Sequence, residues 1–250
     1  MDETKGKYIY CIIKEKRPLR FGILGQEGKE VYSVVDGEFA AVVSDSEIKD
    51  FPFTREYLMA HQKAIEEVMK KGYDVLPVRF GTVAENGAAL HLREKILRAK
   101  KKELQDAFTA VEGKVELGLR ALWENMKDVF AELVLEHSDI QKAKKEAEKS
   151  PNQFKVARVG ELLARALAQK REQEATKILR PLKKLSADFR ERDRMGDSMI
   201  LSAAFLVPKK NEKEFDTQVS LLRNSYGARV RFLYVGPIPP FNFVELKLAI

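Results

Sequence analysis

MILSAAFLVPKKNEKEFDTQVSLLRNSYGARVRFLYV, residues Met199–Val235, decides the fold of the second half of the chain. Met199–Val207 is apolar at successive rather than alternate positions, which predicts a strand covered on both faces and central in its sheet. Glu212–Tyr226 then sets Phe215, Val219 and Leu222 on one helical stripe, stopped by Gly227, and Arg229–Val235 reads as the next strand. Upstream, Val115, Leu117 and Leu119 alternate with Glu116, Gly118 and Arg120, the pattern of a half-buried strand. Between these strands lie two helical stretches, about 124–149 and about 154–190, separated by Ser150-Pro151-Asn152, with Pro181 expected to kink or interrupt the second. Strand, helices, strand, helix, strand and an extended tail form the skeleton of a modified ferredoxin-like domain with a helical extension. We place that domain at 112–250, with a long helical insertion at about 124–190 and a Pro-rich C-terminal tail.

The first half predicts a separate mixed domain, 1–111. Tyr8–Ile13 is short, β-branched and aromatic, a first strand. Val31–Val35 and Phe39–Ser44 flank Asp36-Gly37, which suits a type I′ hairpin turn. Thr54 can cap a helix to about Lys71, with Leu58, His61, Ile65, Val68 and Met69 on one stripe and Gly72 as terminator. Val75–Gly81 (VLPVRFG) reads as a strand in which Pro77 requires an edge or a bulge, because proline has no N–H for a ladder. Asn86-Gly87 opens a helix to about Val111 carrying Leu90, Leu97, Leu104 and Phe108. The fold class is therefore α+β, in two domains.

With 250 residues, 44% of them hydrophobic, the chain can fill two modest cores. No apolar run approaches the roughly 18–20 residues of a membrane span, and the first residues lack the layout of a secretory signal. The single cysteine, Cys11, excludes an internal disulfide framework and any cysteine-rich metal site. These features predict a soluble, cytoplasmic protein. The formal charge is +7, and its excess is confined to residues 151–250, which hold 19 Lys/Arg against 11 Asp/Glu. A basic surface biases encounter toward anions but names no partner.

The catalytic motifs fail one by one. Gly22, Gly25 and Gly28-Lys29 lack phosphate-loop spacing, and Glu30 stands where a magnesium-binding Ser/Thr is needed, so a turn between strands is expected. His61, His91 and His137 are isolated and match no zinc motif; His61 falls on an apolar stripe, as a packed residue would. Cys11 sits mid-strand as a small buried hydrophobe. Arg93, Lys95, Arg98, Lys100, Lys101 and Lys102 form a basic cluster, but no aromatics are interleaved for base stacking, and Glu94, Glu103 and Asp106 offer ion partners at helical spacing. No catalytic, cofactor or metal site is expected, and the protein is not expected to be an enzyme.

Three segments go beyond a generic α+β pattern: VLPVRFGTV (Val75–Val83), KVELGLRALWE (Lys114–Glu124), and ILSAAFLV (Ile200–Val207) followed by an amphipathic helix and YVGPIPPFNFV (Tyr234–Val244). In order and spacing over nearly the whole chain they resemble the GvpF/GvpL family of gas vesicle accessory proteins. The Gly-Pro-x-Pro-Pro-aromatic tail is the most distinctive part, with Phe241-Asn242-Phe243 where Tyr-Ser-Phe is the expected commoner form. The resemblance implies a non-enzymatic, cytoplasmic, gas-vesicle-associated accessory or minor structural protein. It implies as partners the small apolar shell subunit (GvpA type), to assist nucleation or growth of the shell, and other gas vesicle accessory proteins; no nucleic acid, membrane or cofactor is implied. A polymerising apolar subunit exposes strand edges and patches that pair indiscriminately, and a helper protein can cover them. In this chain the candidate partner-binding residues are Phe241 and Phe243, on a tail whose prolines suggest an extended, donor-poor backbone. Two readings of that tail stand: it packs across its own domain and closes the sheet edge, or it faces a partner. The competing function is a nucleic-acid-binding protein using the ferredoxin-like sheet and the basic C-terminal half.

Overall fold

The structure is a computed structural model, and it describes residues 6–47, 50–84, 88–150, 152–244 and 246. They divide into two compact units, one running up to Glu116 and taking in the tail from Pro237 onward, the other spanning Leu117–Gly236. The expected boundary at 111/112 placed the tail with the second domain; its contacts instead group it with the first.

In the first unit, strands β1 (Gly6–Lys14), β2 (Arg20–Leu24), β3 (Glu30–Asp36), β4 (Phe39–Ser46) and β5 (Val75–Pro77) lie in the order β2-β3-β4-β1-β5, and β6 (Val83–Ala84) also pairs with β1. Tyr8 through Ile13 expose no surface, because both faces of β1 are covered. On one face Tyr8, Tyr10 and Ile13 pack with Ala64, Ile65 and Val68 of helix α1 (Arg55–Lys70). On the other, Phe39 stacks on Phe108 of a later helix at 5.6 Å and 8°. The β3–β4 hairpin forms as expected, but one residue along. Asp36 pairs with Phe39, so the two-residue loop is Gly37-Glu38. Gly37 alone takes positive φ (64°), the requirement of a II′ turn rather than I′.

Pro77 marks both an edge and a bulge. β5 is only three residues long; Val78 N–H still reaches Tyr10 O (2.9 Å), and Thr82 O receives Ile9 N–H (2.9 Å). Arg79–Gly81 therefore loops off the sheet edge, with Gly81 at φ 80°, before β6 rejoins β1. Thr54 caps α1 by accepting the Tyr57 N–H. The single helix expected over 86–111 is instead α2 (Ala88–His91), a π-type stretch Leu92–Arg98 and α3 (Lys101–Val111); Asn86-Gly87 lies outside the described residues. The wider π turn displaces the apolar stripe, burying Leu92, Ile96 and Leu97 and leaving Leu90 exposed.

In the second unit the order is β7 (Lys114–Trp123), α4 (Met126–Glu136), α5 (Ser138–Lys149), α6 (Gln153–Leu185), β8 (Asp188–Glu191), β9 (Met199–Pro208), α7 (Glu212–Tyr226) and β10 (Val230–Ile238). The sheet runs β10-β7-β9-β8, with β8 and β9 antiparallel, so β9 is central as its unbroken burial predicts. The succession strand–helices–strand–strand–helix–strand is that of a split β-α-β sheet. Three expectations need correction. The stretch 124–149 is two helices, broken at the extended backbone of His137. Pro181 lies within α6 without interrupting it, in a turn held by buried Ile178, Leu179 and Leu182. The helix stops at Leu185 rather than Arg190, and β8 follows, with Phe189 opposite Phe205.

Candidate docking cleft

The first unit contains an open cleft of about 730 Å³ between α1, the looped-out sheet edge and the C-terminal tail. Leu58, His61 and Gln62 come from α1; Pro77, Val78, Arg79, Phe80 and Thr82 from the edge; and Phe241, Val244 and Leu246 from the tail. Each wall follows from a local feature of sequence.

His61 sits on the buried stripe of α1, between the helix and the bulge. Its Nε2–H donates to Val78 O (3.2 Å), which leaves Nδ1 to accept the Tyr8 hydroxyl (2.9 Å). Tyr8 Oη in turn accepts the Gly81 N–H (3.2 Å). Both ends of the loop are thus tied to α1 and β1 by one buried chain of hydrogen bonds. Burial holds the His61 pKa down to about 4 and pushes the Tyr8 phenol up to about 12, so both are neutral at pH 7. Around this chain stand aromatic rings: Phe80 lies edge-on to His61 at 5.8 Å and to the exposed Phe53 at 5.3 Å. The expectation that His61 is a packed residue holds, though it packs as a hydrogen-bonded brace.

The tail wall departs from its expected form. The chain is extended through Ile238 in β10 and then turns: Phe241 N–H donates to Pro239 O (2.7 Å), and the Phe243 and Val244 N–H groups donate to Pro240 O (3.0 and 3.1 Å). Proline fixes φ near the turn value and keeps its carbonyl as an acceptor, so the Pro-Pro step enters a turn as readily as an extended run. Glu116 of β7, 1% exposed, accepts the backbone N–H of Asn242 (2.8 Å) and its side-chain amide. This carboxylate stands at a position the alternation of β7 assigned to the polar face. The turn leaves Phe241 38% exposed on the cleft. Phe243 is half-buried and is not among the lining residues, so the structure separates the two candidate aromatics.

The remaining candidates have structural roles. Gly22 and Gly28 take positive φ (65° and 67°). Gly25 is needed for close approach, since a Cβ there would lie 2.0 Å from Tyr10 Oη. Gly25 and Gly28 form the turn between β2 and β3, as expected, whereas Gly22 lies within β2, where the register to β3 shifts. Cys11 is fully buried and its thiol pKa is pushed up by desolvation, the opposite of an activated nucleophile. The basic cluster is largely engaged: Arg98 pairs with Asp36 (2.7 Å), Lys100 with Glu103, Lys101 with Glu38, and Arg93 Nε donates to Val35 O. Among the described residues no group of three or more His, Cys, Asp or Glu could hold a metal ion, and no helix is long and apolar enough to cross a membrane.

The fold is that of a known class: the chain belongs to the family of gas vesicle synthesis proteins GvpL/GvpF, whose family model matches residues 6–245. Among its relatives, gas vesicle protein F of Microcystis aeruginosa is 28% identical over 247 residues, covering 97% of this chain and 99% of that one. Gas vesicle protein F of a Nostoc species is 26% identical, covering 98% and 100%. The crystal structure of the gas vesicle protein GvpF from an Anabaena species superimposes with a TM-score of 0.87 at 26% identity, covering 98% of this chain and all of that one. The resemblance carried by the Gly-Pro-x-Pro-Pro-aromatic tail therefore holds along the whole length, and the chain is a gas vesicle accessory protein.

Proposed function

We propose that this protein is a non-catalytic assembly factor that binds the small apolar shell subunit of the gas vesicle and assists nucleation or growth of the shell. The supporting observation is the cleft of the first unit, where Phe80 and Phe241 present apolar surface on a hydrogen-bonded frame. A preformed apolar cleft binds without ordering its own loops first, which preserves affinity for a weakly structured client. The lining also favours docking over chemistry. Its titratable side chains are His61, with both ring nitrogens engaged, and the exposed Arg79. Phe241 contributes the exposed part of the contact, while Phe243 acts by holding the turn. Coexpression with the shell subunit followed by affinity capture tests the reading: wild type retains the subunit and Phe241→Ser does not. Equal capture by both rejects the cleft as the binding surface.

A further inference from the structure

The cleft also carries information about the shape and charge of what enters it, an inference that rests on the docking reading above. An added strand requires unpaired backbone groups along an edge. Here the lining backbone is short of them. Pro77 in the lining has no N–H, and neither have Pro239 and Pro240, which lead into the tail wall. Val78 N–H is bonded to Tyr10 O and Val78 O to His61 Nε2. Gly81 N–H is bonded to Tyr8 Oη, Arg79 O to the Thr82 hydroxyl (2.7 Å), and Thr82 O to Ile9 N–H. In the tail wall, the Phe241 and Val244 N–H groups are spent inside the turn. A helix satisfies its own backbone and needs only apolar surface from its host, so it suits such walls where a strand does not.

Charge narrows the choice further. Arg79 is exposed on the cleft rim, next to Phe80, and among the described residues its guanidinium forms no ion pair. In the helical cluster, by contrast, Arg98, Lys101 and Lys100 are paired with Asp36, Glu38 and Glu103. A lone guanidinium beside an apolar floor matches a carboxylate flanking an apolar stripe, and its fork can hold both oxygens. We propose that the cleft receives an amphipathic helix of the shell subunit, seating its apolar stripe on Phe80 and Phe241 and an Asp or Glu beside that stripe on Arg79.

The test uses the full chain coexpressed with the shell subunit, comparing capture by wild type, Arg79→Glu, Arg79→Lys and Phe241→Ser, with thermal melting as a check on folding. Arg79→Glu is expected to lower capture at least tenfold at an unchanged melting temperature, and Arg79→Lys to lower it less. Replacing the acidic residues of the subunit's helical segments by Lys, one at a time, should identify one whose exchange restores capture by Arg79→Glu. If Phe241→Ser loses capture while Arg79→Glu keeps it, the helix-and-carboxylate inference falls and the docking reading stands. If every variant captures equally, the docking reading falls and this inference with it. New protection of the Arg79 and Phe80 amides from hydrogen exchange in the complex would show strand pairing and overturn the helix.

Discussion

Glu116 and Asn242, 126 residues apart, form a two-point clamp in which a buried carboxylate receives both the backbone and the side-chain N–H of the asparagine. The contact orients the turn that carries Phe241, and it associates the C-terminal tail with the first unit. Hydrogen bonds to a charged acceptor are each worth about 1.5–3 kcal/mol net. Glu116→Gln, which keeps shape but loses charge and offers one acceptor oxygen, is expected to destabilise the protein by about 2 kcal/mol in denaturant unfolding. Amide exchange at Phe241–Val244 should accelerate more than that of β9. Unchanged exchange in the tail would mean that the clamp does not hold the turn.

His61 makes stability depend on pH. Its folded pKa lies near 4, below the ordinary 6.5, so between those values the unfolded chain binds a proton that the folded chain refuses. Its stabilising contribution is complete above about pH 6.5, declines as the pH falls, and is lost below about pH 4, a total of about 3 kcal/mol. His61→Gln should flatten the wild-type stability profile across that window and leave its slope above pH 7 unaltered. Urea midpoints from pH 4 to 8 for the two proteins supply the comparison.

Gly25 has ordinary negative φ and is a glycine because Tyr10 occupies the space a side chain would fill. The Tyr10 hydroxyl receives Gln26 N–H at 2.6 Å and bonds Ser44 Oγ at 2.9 Å, so it has no free direction of retreat. Gly25→Ala is expected to cost about 3 kcal/mol, from overpacking plus disrupted buried hydrogen bonds. Gly28→Ala meets no atom within 4 Å and pays only for its positive φ, about 1 kcal/mol. Chemical denaturation distinguishes the two, and a reversed order would contradict the close-approach explanation.

Phe241 is partly exposed, so Phe241→Ser should lower stability by only about 1 kcal/mol while removing most of the capture of the shell subunit. Phe243→Ser should do the reverse, loosening the tail and reducing capture only through that loosening. Parallel melting and capture measurements separate the two roles.

What was legible in the sequence were the elements whose burial leaves a local pattern. β1 and β9 are apolar at consecutive positions because both faces are covered, and Pro77 signals the broken edge through the N–H it lacks. What was hidden depends on partners distant in sequence or on a small change of register. β8 is four residues with one aromatic, Phe189, too short to show alternation. Leu90 appears on an apolar stripe at α-helical spacing, and only the π-type turn after it moves that stripe elsewhere. Glu116 reads as an outward polar residue because its partner lies at the far end of the chain. The tail aromatics were legible as candidates, but whether each faces the cleft depends on a turn, and two prolines permit an extended run as well. The cleft itself joins α1, a sheet edge and the tail, and no single segment announces it.

On the proposed function, the shell subunit binds in the cleft. A photo-crosslinking residue in place of Gln62, exposed on the α1 wall, tests it most directly during coexpression with that subunit. A crosslinked adduct at the summed mass of the two chains is expected, lost when Phe241→Ser is added. A crosslinker at Gln62 that leaves the subunit unmodified, while one at Phe154 on the exposed start of α6 captures it, would rule out the cleft as the binding surface.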